Sequence, residues 1–429
     1  MLNRFFSLAE NNTTVRTEVL GGITTFLTMS YITFINPSLL AQTGMDKGAI
    51  FTATCLGAAF GSALMGLLAN YPIALAPGMA LSTYFTFGVV LGAGYSWQTA
   101  LGTVFIAGLI FFILSILPVR QFLVNSIPKS LKVAIVAGIG LFLGIIGLKS
   151  ANIITGSTAT LVTLGDLHQT SALLAILGFF LIIAMDALNI TGSIIISIFT
   201  VSLLGILLGE NQFHGIFSLP PSIAPTFMQM DLTHMWRPDL AAIIFAFLFV
   251  DLFDNSGTLI GVAHRAGLMD AQGKLPRINR ALAADSLAAV ASGIFGTSTT
   301  TSYLESAIGV KAGGRTGLVA VVVALLFLCM LFLAPLASSI PIYATAPALV
   351  YVACMMSRAF TEFNWDDVTE YAPAVITAIS MPLTFSIAEG IALGFITYAV
   401  VKLMSGRWRD LNSTVIVLAI IFILKYMYL

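Results

Sequence analysis

Charge is what this sequence has least of. Only 9% of its 429 residues are Asp, Glu, Lys or Arg, where a soluble globular chain carries about 25%. A water-facing surface cannot be covered at that density, so no soluble catalytic domain is hidden in the chain. The 19 basic and 19 acidic residues cancel, which removes any electrostatic basis for binding nucleic acid. Cysteine is scarce too: Cys55, Cys329 and Cys354 each fall inside an apolar run, as buried packing residues rather than a disulfide framework or metal site. The four histidines, His168, His214, His234 and His264, fall in loops, and none is assigned a proton-relay role. No Cys/His cluster has ligand spacing, so neither metal nor cofactor is expected. The opening stretch MLNRFFSLAENNTTVRTE has no signal-peptide core or cleavage site, and insertion is expected to use the first span itself.

What the chain has instead is hydrophobic length. Apolar residues make up 58% of it, in recurring runs of about 20 residues that match a bilayer core. The first spans are expected near 18 to 35, ending at Asn36-Pro37, and 48 to 68; YPIALAPGMALSTYFTFGVVL and a span near 98 to 117 follow. Spans five to seven lie near 133 to 148, 170 to 187 and 192 to 208. After a polar loop come span eight (239 to 262), span nine (281 to 296), a Thr/Ser-rich segment and span eleven (316 to 337). Spans twelve to fourteen fall near 342 to 357, 371 to 387 and 389 to 404, and residues 411 to 429 are either a further span or an interfacial helix. Gly57 and Gly61 in GxxxG spacing read as close helix packing. Gly138, Gly140, Gly144 and Gly147 lie inside a span with no preceding strand, so they are not a nucleotide-binding loop.

The fold class is therefore an all-α polytopic membrane protein of about fourteen segments. With the N-terminus inside, the loops bearing Arg120, Lys129 and Lys132, then Arg265, Lys274, Arg277 and Arg280, then Lys311 and Arg315, then Arg358, and finally Arg407 and Arg409, all fall in the cytoplasm. Seven crossings per half is an odd number, so the halves insert with opposite orientation, as an inverted repeat. The third segment of each half is broken, at Ala76-Pro77 and at Thr297 to Thr301, and each break leads into a helix too short to cross. From Pro77 to Leu91 is roughly 22 Å at about 1.5 Å per residue, against a core of about 30 Å. Pro77 suits a first helical turn, and the hydroxyls of Thr297, Ser298, Thr299, Thr300, Thr301 and Ser302 can cap the start of the second half-helix. Irregular backbone at membrane depth is tolerated only where protein buries it or it lines a cavity, so a cavity is expected between the two breaks.

Three carboxylates converge on that region. Asp251 and Asp254 share one face of span eight by their i, i+3 spacing, and Glu305 is expected about one turn into the second half-helix. An ionised group at membrane depth costs about 2.5 to 3.5 kcal/mol, and nothing cationic within the spans offers a simple ion pair. Converging carboxylates in low dielectric cannot all be ionised, so at least one holds a proton near neutral pH. Such a set can accept hydrogen bonds from a ligand's N–H groups and titrate as the ligand comes and goes; the alternative is a set of structural acids satisfied by Ser256, Thr258 and the threonines. Asp285, early in span nine and close to the cytoplasmic interface, reads equally as a capping or gating residue or as a coupling residue, and Glu18, Asp186 and Glu389 read as interfacial. Tyr84, Phe85 and Phe87 could stack on a flat ring or simply pack. Thr25 and Tyr303 complete the candidate set.

The strings TEVLGGITTFLTMSYITFINP, ALAPGMALSTYF, FLFVDLFDNSGTLIGV, GTSTTTSYLESAIGV and GGRTGLVAVVVALLFL, in this order, resemble the AzgA-like purine permeases of the nucleobase/ascorbate transporter family over nearly the whole chain. The resemblance implies a seven-plus-seven fold in which a core domain (18–117 and 239–337) moves against a gate domain (133–208 and 342–404), flanked by residues 1–17 and 411–429. It implies proton-coupled uptake of adenine, guanine or hypoxanthine across the cytoplasmic membrane, and frequently a homodimer. One span-eight acid and the half-helix glutamate would contact the base, here Asp254 and Glu305, with the other acid, Asp251, in proton coupling; the two aspartates could exchange these roles. Where the branch reads GMGLNAYF this chain has GMALSTYF, so Ser82 and Thr83 stand where a base-contacting Asn and an Ala are expected, and the preferred purine is left open. Rival readings are a transporter of pyrimidines or organic anions on the same fold, a channel, and an intramembrane aspartyl hydrolase. The last needs acids from two helices sharing one proton, whereas Asp251 and Asp254 share one helix.

Overall fold

In hydrocarbon the backbone has no water to bond, so an apolar run of membrane length closes its hydrogen bonds within itself as a helix. A computed structural model describes residues 5–116, 127–157, 160–233, 237–266, 268, 275 and 277–428; among these, the side chains of residues 116, 238, 253, 254, 256, 257, 260, 261, 263–265, 425 and 428 lie outside the description. Arg120, Lys274 and His234 fall outside it altogether. Among the described residues, eight helices are long and apolar enough to cross a membrane, including Lys47–Ala69, Trp97–Ser115, Lys129–Ser150 and Gly317–Ser338. The chain is a multi-pass membrane protein, and strands are short: Leu75–Pro77 (β1) pairs with Thr300–Ser302 (β4), and Ile154–Ser157 (β2) with Leu161–Leu164 (β3).

Helix boundaries follow local chemistry. Asp46 caps Lys47–Leu64 by accepting from Ala49 N at 2.7 Å, as N-terminal carboxylates do. The first span departs from expectation. It breaks at Ser30-Tyr31, between Val15–Met29 and Ile32–Leu40, and Pro37 sits inside the second piece instead of ending the span. Span eight is one helix, Pro238–Arg265, so His264 and Arg265 belong to its end rather than to a loop. Only Cys55 is buried; Cys329 and Cys354 are exposed on their helices, which corrects the reading of all three as core. The terminal helix Ser413–Tyr428 packs along Ile387–Met404, with Phe422 against Phe395 and the Tyr426 hydroxyl on Glu389. Those contacts pair its end with the other helix's start, so it runs antiparallel beside the bundle. Glu389 is thereby a contact of this helix.

Packing collects the helices around two sets of neighbours. Ile278–Phe295 lies on Trp97–Ile116, and Gly317–Met330 lies on both Val15–Met29 and Lys47–Leu64. Elsewhere Lys129–Ser150 lies on Ile342–Met356 and Val368–Thr384, and Thr170–Ala187 on Ser193–Leu207 and Ile342–Met356. In the second set a buried cation does occur inside a span. Lys402 reaches Glu370 at 2.6 Å and Thr369 Oγ1 at 2.9 Å, while Glu370 also accepts from Ser130 Oγ at 2.6 Å and the Tyr398 hydroxyl at 3.1 Å. One ion pair thus ties three helices, because each lone pair of a buried carboxylate needs a donor.

Glu18 is fully buried, not interfacial. Its carboxylate accepts from Arg315 N at 2.8 Å, Thr316 N at 3.0 Å, Thr316 Oγ1 at 2.7 Å and Thr13 Oγ1 at 2.8 Å. It satisfies from another element the N–H groups that the start of Gly317–Met330 leaves open. Alongside it, Asn70 accepts from Gly317 N at 2.7 Å and donates to Phe6 O at 3.1 Å. Glu18→Ala strands two backbone N–H groups, at about 1–3 kcal/mol each. Its melting temperature in detergent should fall well below that of wild type, with Glu18→Gln intermediate; equal melting curves would show that the cap contributes nothing.

Candidate functional site

The two breaks meet as a strand pair. Antiparallel β1 and β4 match Leu75 to Ser302, Ala76 to Thr301 and Pro77 to Thr300. The ladder continues with Gly78 N donating to Thr299 O and Tyr303 N to Ala74 O, each at 3.0 Å, and the Tyr303 hydroxyl donates to Pro77 O at 2.7 Å. Tyr303 is therefore a fastening of the ladder. Each break thus supplies the hydrogen bonds the other lacks, which is how extended backbone is kept at membrane depth.

Helices leave the crossing from both strands, though not as the sequence suggested. Pro77 lies in β1, and the first half-helix begins at Met79 after Gly78, running to Thr83 and widening into a π-helix over Tyr84–Gly92. The second is a six-residue helix, Ser306–Lys311, and Glu305 occupies its N-cap position rather than lying one turn inside. The Thr/Ser run does not cap this helix; it is consumed in β4 and its surroundings. Strand alternation divides it. Behind the sheet, Thr300 Oγ1 accepts from Ser292 Oγ at 2.7 Å, and Ser302 Oγ donates to Asp285 at 3.4 Å. On the opposite face the hydroxyls of Thr299 and Thr301 are buried and have no hydrogen-bond partner among the described residues, as is also true of Thr25, Thr83 and Thr86.

Glu305 is half-buried and accepts a hydrogen bond of 2.5 Å from the Tyr31 hydroxyl, delivered by the break in the first span. Asp251 is buried on Pro238–Arg265, as is Asn255 one turn on, whose amide donates to Asp285. Asp254 lies in the same helix; its side chain, like that of Ser256, is outside the described residues. Asp285 is fully buried behind β4, which corrects its reading as an interfacial residue. Thr25 lies against the second half-helix, where a Cβ on Gly309 would come within 2.0 Å of its Oγ1. That contact requires glycine.

The aromatic candidates are interior. Tyr84 packs on Phe247 with ring centroids 5.0 Å apart, and Phe85 is fully buried. Ser82 is engaged as well, with its Oγ 2.6 Å from Asn36 Oδ1, 2.6 Å from Ser298 Oγ and 2.9 Å from Gly78 O. Asn36 and Tyr31 are the residues that sequence reasoning missed. Their signal was present: a polar side chain flanked by Phe34, Ile35 and Leu39 inside a span is costly unless it has a task, but Asn36-Pro37 read more simply as a helix stop. A cleft of about 340 Å³ lies nearer the loops, with Gln42, Phe87 and Leu91 on one wall and Lys149, Ser150 and Phe385 on the other. Its walls come from the two sets of packed helices.

A family model described as a permease family (Xan_ur_permease) matches residues 16–393. The adenine permease AdeP of Escherichia coli is 50% identical over 429 residues, covering 100% of this chain and 96% of that one. The guanine/hypoxanthine permease PbuO of Bacillus subtilis is 42% identical over 428 residues, covering 98% and 99%. Among solved structures, the transmembrane domain of a cyanobacterial bicarbonate transporter, BicA, superposes with a TM-score of 0.63 at 17% identity, over 89% of this chain and 97% of that one. SLC26A9 gives 0.67 at 14% identity, over 91% and 66%. At such identities these two establish the shared seven-plus-seven inverted-repeat architecture alone. With its two broken third segments paired at the centre and sequence kinship along its full length, the chain belongs to the permease family of nucleobase/ascorbate transporters, and it is a membrane transporter rather than an enzyme.

Proposed function

We propose that this protein carries purine nucleobases into the cell across the cytoplasmic membrane, coupled to protons, by alternating access. The observation that carries the reading is the Glu305 carboxylate, largely buried just after β4 and bonded by Tyr31 at 2.5 Å. A second oxygen of such a carboxylate is suited to accept a ring N–H. The purine docks against the face of the strand pair that carries the Thr299 and Thr301 hydroxyls, which have no hydrogen-bond partner among the described residues. Asp254 serves as the second base contact, and Asp251 takes up the coupling proton. The names of the relatives, an adenine permease and a guanine/hypoxanthine permease, support the purine class.

Movement follows from the packing. Residues 18–117 with 239–337 form the core that carries the crossing, and 133–208 with 342–404 form the gate. The cleft between Gln42 and Lys149 lies on their seam and serves as the outer mouth. The N-terminal segment fastened by Glu18 and Asn70 lies at the cytoplasmic end of the core. A proton entering from outside readies the site, the base docks, the core rocks against the gate, and the lower proton activity inside releases both. The protein works as a homodimer in which each copy holds its own site.

Uptake of labelled adenine, guanine and hypoxanthine into cells lacking their own purine carriers tests this directly. Uptake should collapse with a protonophore and be indifferent to sodium replacement; purine uptake that tracks sodium would overturn the coupling ion, and no uptake from inserted protein would overturn the substrate class. Glu305→Gln, which keeps an acceptor oxygen but no titratable group, should lower kcat/KM for uptake by about 100-fold and flatten its pH dependence. An unchanged pH profile would remove Glu305 from the coupling path.

A further inference from the structure

Asn36 is fully buried in the helix Ile32–Leu40. Its amide nitrogen lies 2.7 Å from Thr54 Oγ1 and 2.8 Å from Thr297 Oγ1. Its oxygen lies 2.6 Å from Ser82 Oγ and 3.3 Å from Ser298 Oγ. Thr54 fixes which way the amide faces: its hydroxyl already donates to Ile50 O at 2.7 Å, so toward Asn36 it can only accept. A primary amide has two N–H donors and two acceptor lone pairs, and here all four are engaged. The four partners come from three places: Lys47–Leu64, the first half-helix, and two successive residues where the second break begins.

No other side chain of that size makes this set of bonds. Aspartate offers no donor, leucine neither donor nor acceptor, and a hydroxyl a single proton. Glutamine has the same groups on a longer stem and would push Ser82 and Ser298 outward. Those two hydroxyls are themselves 2.6 Å apart, so the two breaks touch at this point, one residue before the buried hydroxyl of Thr299. Ser82 has one proton and three neighbours within hydrogen-bonding distance, namely Asn36, Ser298 and Gly78 O. Its one proton is therefore committed within this network.

We propose that Asn36 is a positioning residue for substrate: it sets the separation between the first half-helix and the start of the second break, and so the width of the site between them. Ser82 acts on purine selection through Asn36 and Ser298 rather than by touching the base. The choice of purine as ligand rests on the function proposed above; the positioning role does not. Threonine 297 belongs to the same device, because it accepts the second amide proton on the far side of the gap.

Two measurements on the full-length protein in membranes separate these claims. In the first, Ser82→Cys and Ser298→Cys are combined in a background with Cys55, Cys329 and Cys354 replaced by Ala, and disulfide formation under copper–phenanthroline is timed with Asn36 present and with Asn36→Ala. Loss of Asn36 should slow cross-linking by at least about fivefold as the two breaks separate; an unchanged rate overturns the proposal. In the second, Thr297→Val and Asn36→Asp are compared with wild type in purine uptake normalised to inserted protein. KM should rise by about tenfold with maximal rate within about twofold. A fall in maximal rate that follows protein abundance, with KM unchanged, would mean a purely structural role and also overturns it. If wild type moves no purine while cross-linking still depends on Asn36, the nucleobase reading fails and the positioning role stands.

Discussion

Six residues of extended backbone in the middle of a hydrophobic protein govern the rest of this structure. Leu75–Pro77 and Thr300–Ser302 each interrupt a segment that would otherwise be helical, and each would leave several N–H and C=O groups without partners where water is excluded. They find those partners in one another. Antiparallel pairing is what two segments of opposite membrane orientation offer, so the inverted repeat and the ladder are one arrangement seen at two scales. The ladder also decides where chemistry can occur, because a strand turns alternate side chains to opposite faces. Thr300 and Ser302 are spent on Ser292 and Asp285 behind it, and Thr299 and Thr301 remain on the other side.

Around that crossing, buried polar groups are used to fix positions between elements far apart in sequence. Glu18 closes the start of Gly317–Met330 from the first helix, Lys402 and Glu370 join helices of the other set, and Asn36 bridges both breaks. In each case the alternative to a complete set of hydrogen bonds is a desolvated group left alone, which costs more than the bond contributes. Charged residues are few in this chain, and the buried ones named above sit where helices are held at a given distance. Glu305 differs. Its side chain has one tyrosine donor and is partly buried.

Breaks in regular structure serve the same site. The interruption at Ser30-Tyr31 divides a span whose composition would allow one unbroken helix, and the Tyr31 hydroxyl at that point bonds Glu305. The widening of the first half-helix into a π-helix over Tyr84–Gly92 occurs where Tyr84 packs on Phe247 of the helix that carries Asp251. Glycine appears where backbones must approach closely, as at Gly309 against Thr25. Stability is given up locally at these points, and the neighbouring packing holds them.

The sequence by itself determined the membrane class, the two broken third segments and the opposite orientation of the halves, since hydropathy over about 20 residues is a local signal. Motif order determined the family. What only the tertiary structure decided is pairing: that the Thr/Ser run is a strand instead of a helix cap, that Asp285 and Glu18 are buried, that Ser82 is bound to Asn36, and that Tyr84 and Phe85 pack inside. Asn36 meets Thr297 across 261 positions, and Tyr31 meets Glu305 across 274. Distances of that kind leave no periodic trace in a sequence, because the partners are chosen by how helices cross and not by the residues that neighbour them in the chain.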